Sequence, residues 1–280
     1  MSTPPATLAQ RIAHRTVAAG SLGVWWLGGS GFIFKTAAGR QIWIDPYLSD
    51  IVRPMFGIAR AFPAPITVEE AAPDVVISSH WHEDHLDPGC IPELARRRPT
   101  AKFIMPPTAM SRALAWGLPT TQVTPLVHGQ TLDLGDAKLT AIVARHEAQV
   151  LGWETPDAMG LSLDFGGLKV FHTGDTDYDA RIHRSLAGTA FAFATLCMNG
   201  SVGNMNAHEA ALMARQIEAK SLIPHHHHLW SRPKEKIPVF ETLDPQMFVA
   251  TYRQLGGTAA ILIPEVGRDM TLTAAGISFL

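Results

Sequence analysis

The sequence predicts an α/β fold in which mixed β-sheets are covered by helices. Two observations carry this. Helical and strand patterns alternate along the 280 residues, with several hairpins among them. In addition, residues 30–45, SGFIFKTAAGRQIWID, are echoed at 159–175 by MGLSLDFGGLKVFHTGD. Each reads as strand, glycine-containing turn, strand, and an aspartate at the strand's end. Two related halves of this kind, each delivering an aspartate to the same sheet edge, would build a site between two sheets. A chance match of two hairpins is the competing reading.

The elements follow in order. Residues 1–20 read as a short N-terminal helix or a loose arm. Gly23–Phe34, GVWWLGGSGFIF, is apolar and broken by glycine: a strand, a tight turn and a second strand. Neighbours on a strand face opposite sides, so Trp25 and Trp26 are expected in the core on opposite faces. Arg40–Asp45 alternates and ends on an acid. Residues 46–73 are rich in Pro and Arg and weakly periodic, which predicts an extended loop with room for a short helix. Asp74–Ser79, DVVISS, is a buried strand by its β-branched run. Helices are expected over Ile91–Arg98 and Thr108–Trp116, with a short strand at Lys102–Met105 between them. Gln130–Val143 gives two strands around Gly135-Asp136, and Met159–His172 a hairpin. Ala190–Leu196 is a strand. Ala207–Ala219 is a helix, with Asn206 and Glu209 spaced as a capping box. Leu222–Pro224 is a strand, and Pro245–Leu255 a helix closed by Gly256-Gly257.

Composition excludes several classes. The net charge is −2 and no basic stripe stands out, which argues against a grip on nucleic acid. No window reaches about 18 uninterrupted apolar residues, so no membrane span is expected. The N-terminus lacks the apolar core of a signal peptide. Two cysteines, Cys90 and Cys197, are too few for a disulfide scaffold and show no metal spacing, so a reduced cytoplasm is the expected compartment. Histidine is abundant, 13 against three tyrosines.

Their spacing decides what they do. His80-Trp81-His82-Glu83-Asp84-His85 follows directly on the strand Asp74–Ser79. A strand end can point His80 and His82 the same way, because side chains repeat every second residue. The chain then turns, and Asp84 and His85 project toward a second position. One segment can therefore feed two metal ions. A lone histidine is more often a core or surface residue than a ligand; three with an aspartate at this spacing are poorly explained that way.

HWHEDH matches the HxHxDH signature of the metallo-β-lactamase fold superfamily, which this chain resembles. The resemblance implies an αββα sandwich of two mixed β-sheets flanked by helices, spanning residues 21–280 as one domain of two related halves. It also implies further ligands. His146 follows the strand Leu139–Val143, where a surface-loop histidine is the plainer reading. Asp175 in FHTGDTD matches the bridging carboxylate, against a turn aspartate after Gly174. His226 in PHHHH matches the final histidine. The implied site has His80, His82 and His146 on one metal, Asp84, His85 and His226 on a second, and Asp175 between. One or two divalent ions, zinc, manganese or iron, suit imidazole and carboxylate donors. A hydroxide between two such ions is a strong nucleophile at neutral pH. Asp84 would orient it or pass its proton to the leaving group. Asp45 would hydrogen-bond a ligand histidine, or cap a turn.

Three stretches are similar to one branch, the L-ascorbate-6-phosphate lactonase family: VWWLGGSG (24–31), HTGDTDY (172–178) and IPHHHHLW (223–230). That likeness runs from about residue 22 to 232 and implies lactone opening, often with manganese, in an oligomeric assembly. The chain departs from it in a shorter linker between Asp45 and His80, in Asp45-Pro46-Tyr47, and at His225 and His228. His172 would touch substrate or support a ligand, or be an ordinary strand histidine. Tyr178 would donate to an oxyanion or wall the pocket. Asn199 would bind a substrate oxygen or merely form an Asn-Gly turn. His227 would contact substrate or shuttle a proton, His225 would point into packing, and His228 would be exposed. Trp230 is a candidate pocket wall. Arg145, Arg181 and Arg232 are placed to meet a phosphate, though each is more often a solvated charge. The function implied is a metal-dependent hydrolase of a small lactone or ester, with or without a phosphate. The alternatives are a phosphodiesterase on the same fold and a non-catalytic metal or oxygen sensor.

Overall fold

Two β-sheets pack face to face between two layers of helices, in a computed structural model that describes residues 5–147, 152–201, 203–231 and 244–280. In the first half, α1 (Leu8–His14) precedes the meander β1 (Leu22–Gly28), β2 (Gly31–Lys35) and β3 (Gln41–Ile44). Then come α2 (Val52–Phe56), β4 (Ala59–Arg60), β5 (Val75–Ile77), α3 (Ile91–Arg97), β6 (Lys102–Met105), α4 (Pro107–Ala115) and β7 (Val123–Pro125). The second half runs β8 (Thr131–Asp133), β9 (Lys138–Val143), β10 (His146–Glu147), β11 (Glu154–Thr155), β12 (Met159–Phe165) and β13 (Leu168–His172). It continues with α5 (Ala180–Ser185), β14 (Phe193–Cys197), α6 (Ala207–Gln216), β15 (Ser221–His225), β16 (Trp230–Ser231), α7 (Pro245–Gln254) and β17 (Ala260–Ile261). The strands β18 (Met270–Thr273) and β19 (Gly276–Phe279) return to the first sheet.

The first sheet has the order β19-β18-β1-β2-β3-β5-β6-β7, and the second β17-β15-β14-β13-β12-β9-β8. In each, an antiparallel hairpin meets a parallel run: β2–β3 then β5–β6–β7, and β12–β13 then β14–β15–β17. Asp45 follows the first hairpin and Asp175 the second.

Burial sorts the side chains into three apolar layers. The central one joins the inner faces, with Trp26, Phe32, Ile44 and Ile77 from one sheet against Leu139, Met159, Leu161 and Val170 from the other. Trp25, Ile33, Trp43 and Phe103 line the outer face of the first sheet under α1, α3 and α4. Phe171, Leu196 and Leu222 do so for the second under α5, α6 and α7. The two adjacent tryptophans thus lie on opposite faces, as strand alternation requires. The capping box at the start of α6 forms as read: Asn206 accepts from the Glu209 N–H at 3.0 Å while Glu209 accepts from the Asn206 N–H at 2.9 Å.

Some elements differ from expectation. The stretch 46–73 carries α2 and β4, and β4 pairs with the distant β16, a partner no local pattern reveals. The strand β7, the helix α5 and the three C-terminal strands carry too few residues for periodicity to speak. The helix α6 stops at Gln216, where Ile217 turns extended at φ −96° and ψ 129°. No helix among the described residues is long and apolar enough to cross a membrane.

The turn between β1 and β2 needs its glycines. Gly28 has φ +88°, and a Cβ there would collide with the Phe62 ring; at Gly29 it would stand 2.9 Å from Leu229 Cδ2. These contacts seat Phe62 and Leu229, the residue before β16, against the β1–β2 turn. Gly28→Ala is expected to cost about 1–3 kcal/mol through backbone strain and the displaced Phe62. A thermal melt lowered by several degrees, with the fold retained by circular dichroism, checks it.

Candidate metal centre

The first ligand segment is shaped by its backbone. β5 ends at Ile77, Ser78 N–H donates to Ile104 O at 2.9 Å, and the chain then turns tightly, His85 and Leu86 N–H both donating to His82 O. That turn brings His80, His82, Asp84 and His85 to the carboxyl end of the parallel strands, where open α/β sheets place ligands. His146 opens β10 just past β9, and Asp175 lies three residues past β13. His226 leaves β15 with φ +61°, its N–H donating to Gly29 O at 3.0 Å. A non-glycine residue rarely adopts that backbone, and such strain is found where surroundings hold a functional side chain in place.

These side chains form three overlapping groups whose donor atoms lie within 4.8 Å of one another: His80–His82–His146, His80–His85–Asp175 and Asp84–His85–His226. All are buried except Asp84, which is partly open. The hydrogen bonds set the tautomers. His82 Nε2 meets Trp153 O at 3.1 Å and His146 Nδ1 meets Gly203 O at 2.7 Å. Carbonyls only accept, so both of those nitrogens carry the proton. The opposite nitrogens, His82 Nδ1 and His146 Nε2, therefore present lone pairs to each other at 3.0 Å. Two acceptors that close call for a cation. His80 Nε2, His85 Nε2 and His226 Nε2 are likewise buried without a hydrogen-bond partner, although His226 Nε2 lies 3.2 Å from Asp84 Oδ2 and 3.4 Å from Asp175 Oδ2. The donor set and the orphaned nitrogens fit divalent metal ions.

The electrostatics point the same way. Burial, reinforced by His146, holds His82 down at about 4, so it is neutral and able to ligate. Burial alone would raise Asp84, but His85 and His226 bring it down to about 2. Burial would likewise lower His85, yet Asp175, Asp84 and Asp45 outweigh it and draw positive charge to this point. Asp175 lies well below the usual carboxylate range because His226 and His85 overcome its burial.

Asp45 stands behind the ligands. It accepts from His85 Nδ1 at 2.8 Å, and from Ser79 N–H and Oγ–H, both at 2.7 Å. This leaves His85 Nε2 facing Asp175 at 3.5 Å. Asp45→Asn is expected to lower metal affinity by roughly 10–100-fold, as loss of a ligand-orienting carboxylate does. Competition with a chromophoric chelator measures it.

The other candidates scatter. His172 is buried beside Asp45, with Nδ1 2.7 Å from Thr195 Oγ1, and it stacks on His225 at 4.7 Å. Neither ring lines the cavity. Asn199 does, and its amide meets His226 Nδ1 at 3.1 Å. The Tyr178 hydroxyl points elsewhere, bonding the Gln216 side chain. His227 packs 5.1 Å from Trp26, and His228 is exposed. Arg232 lies outside the described residues. Trp230 lines the cavity.

Sequence reasoning missed several residues that hold the ligands. Ser30 Oγ and Asn204 Nδ2 donate to the two oxygens of Asp175 at 3.2 and 2.9 Å. Ser79 was readable as the neighbour of His80, but Ser30, Asn204 and Trp153 arrive only through the tertiary fold. Beside the cluster opens a cavity of about 300 Å³, lined by His82, Asp84, His146, Asp175 and His226 on one side.

Known proteins share this architecture. A family described as β-lactamase superfamily domain matches residues 40–227. The chain is 29% identical over 223 residues to a UPF0173 metal-dependent hydrolase of Anaeromyxobacter sp. (strain K), covering 76% of this chain and 77% of that one. It is 23% identical over 263 residues to a probable L-ascorbate-6-phosphate lactonase, UlaG, of Escherichia coli O127:H6, covering 80% and 74%. Among solved structures, the metallo-β-lactamase fold protein YhfI from Bacillus subtilis aligns with a TM-score of 0.63 at 18% identity, over 90% of this chain and 99% of that one. That last likeness is one of fold.

Proposed function

The chain belongs to the β-lactamase superfamily, and from that premise we propose that it is a metal-dependent hydrolase that opens a lactone or related ester of a small molecule. The observation that carries this reading is the set of orphaned imidazole nitrogens and two carboxylates converging on one wall of a cavity. His80, His82 and His146 would hold one ion, Asp84, His85 and His226 a second, with Asp175 between them; zinc, manganese or iron suits these donors. Ions there would lower the pKa of bound water and polarise the oxygen under attack. Asp84 faces the cavity as a carboxylate. It takes the proton of the attacking water and returns it to the leaving oxygen. Asn199 donates from the cavity wall to a substrate oxygen. Ser30 and Asn204 keep Asp175 oriented while charge moves beside it. The two relatives, a metal-dependent hydrolase and a probable lactonase, support the same reading.

Protein stripped of metal and reloaded separately with zinc, manganese and iron(II) tests it. Sugar lactones, homoserine lactones and phosphodiesters are offered in turn. The expected result is metal-dependent lactone opening that chelation abolishes. Phosphodiester turnover without lactone turnover would replace the reading by the phosphodiesterase. Metal binding without turnover of any ester would leave a sensor.

A further inference from the structure

The cavity lining has two unlike parts. Beside the ligands stand Val52, Phe56, Ile58, Trp153 and Trp230. Three of these come from the segment 47–62. Its hydrophobic face is built by helical spacing, since Val52 and Phe56 lie four residues apart on α2. Phe56 and Trp153 meet edge to face at 5.1 Å, and Trp153 stands 5.1 Å from the His82 ring. Trp230 is fixed by its pairing with Arg60 and by the Tyr47 ring at 5.7 Å. Phe56 is 41% exposed at the cavity mouth. With Val52, Ile58, Trp153 and Trp230 it makes a contiguous apolar lining beside a few convergent polar groups, the composition of a small-molecule pocket.

Of the acidic lining residues, Asp84 and Asp175 belong to the metal cluster and Glu83 stands beside it, and no lysine or arginine is among the described lining residues. The segment 47–62 carries two cations, and neither lines the cavity: Arg53 is largely exposed, 3.9 Å from Asp50. Arg60 lies over the Tyr47 ring at 4.7 Å and donates to the carbonyls of Tyr47 and Phe62. A phosphorylated substituent laid against the five apolar side chains would meet aliphatic and aromatic faces and give up its hydration with no charged group among them to pair with it. An uncharged alkyl or aryl group would bury Phe56 and Trp153.

We infer that this part of the cavity is a subsite for an apolar substituent, so that the substrate is a neutral lactone or ester carrying an alkyl or aryl group rather than a phosphorylated sugar lactone. This rests on the hydrolase reading for its chemistry, but not for its binding.

Two measurements separate the two. Binding is read on metal-stripped protein, where nothing turns over, by tryptophan fluorescence with δ-decalactone and with 6-phosphogluconolactone. Turnover is read on metal-loaded protein with the same pair and with unsubstituted δ-valerolactone. δ-Decalactone is expected to quench the fluorescence and 6-phosphogluconolactone to leave it unchanged. Phe56→Ala and Val52→Ala, which retain both tryptophans, are each expected to weaken δ-decalactone binding by roughly tenfold. In the same variants the preference in kcat/KM for δ-decalactone over δ-valerolactone falls by a similar factor. Binding that behaves this way without turnover of any lactone keeps the subsite and removes the hydrolase reading. Preference for the phosphorylated lactone, no binding of δ-decalactone, or affinities unmoved in both variants would overturn the subsite. Unchanged circular dichroism confirms that the variants fold.

Discussion

Asp175→Asn is expected to reduce turnover by about a thousandfold or more while leaving the fold intact. Among the described residues, only the Asp175 carboxylate reaches toward His85, His146 and His226 together, at 3.5, 4.0 and 3.4 Å. The amide keeps the shape and the contacts to Ser30 or Asn204 in part, but it removes the negative charge. That charge is worth several kcal/mol where positive ions must be held close together, and each 1.36 kcal/mol is tenfold in rate. Steady-state kinetics at saturating metal, beside a melt of the same sample, check it. Turnover within tenfold of the parent would mean that Asp175 is a turn residue and nothing more.

Phe32→Ala is expected to be the most damaging change to stability, by about 3–5 kcal/mol. Phe32 is fully buried at the centre of the inner layer. It stacks with Phe34 at 6.4 Å and meets Phe193 of the opposite sheet edge to face at 6.4 Å. Its ring also abuts His172 and His225 at 5.7 and 5.9 Å, which stand behind the ligands. Truncation would leave a cavity between two sheets that cannot close on it. A fall in melting temperature of about 10 °C follows at roughly 2–3 °C per kcal/mol for a chain of this size. A fall of only a degree or two would mean that the sheets can slide together there.

What could be read in advance depended on how local the signal was. HWHEDH lies on one turn after one strand, so spacing alone brings its donors together. His146, Asp175 and His226 come from three other strand ends, and only their order along the chain, read through a family resemblance, suggested that they meet. The supporting groups had no signal of that kind. Asn204 reaches Asp175 across a loop, and Trp153 reaches His82 by pairing of β10 with β11. Tyr178 sits three residues from Asp175 in sequence, yet α6 offers Gln216 and the hydroxyl turns away from the cavity. The four histidines illustrate the same limit. Their sequence is uniform, but alternation off β15 and two left-handed residues send His225 inward, His226 to the cluster and His228 to solvent. The segment 47–62 was legible only as a loop with room for a short helix, because its apolar residues Tyr47, Ile51, Val52, Ile58 and Phe62 follow no regular period and gather around Leu229 and Trp230, which come from far along the chain.

The central claim is that these donors from separate strand ends hold metal where the chemistry occurs. Titration calorimetry of the metal-stripped protein with zinc tests it most directly, in the parent, in His82→Ala, in His226→Ala and in His228→Gln. His82→Ala is expected to lose the site built with His80 and His146. His226→Ala loses the site built with Asp84 and His85, and His228→Gln binds as the parent does. Unchanged stoichiometry and affinity in His82→Ala and His226→Ala, with binding lost in His228→Gln, would contradict it. The metal would then belong to the exposed end of the histidine run, and the buried cluster would be a structural one.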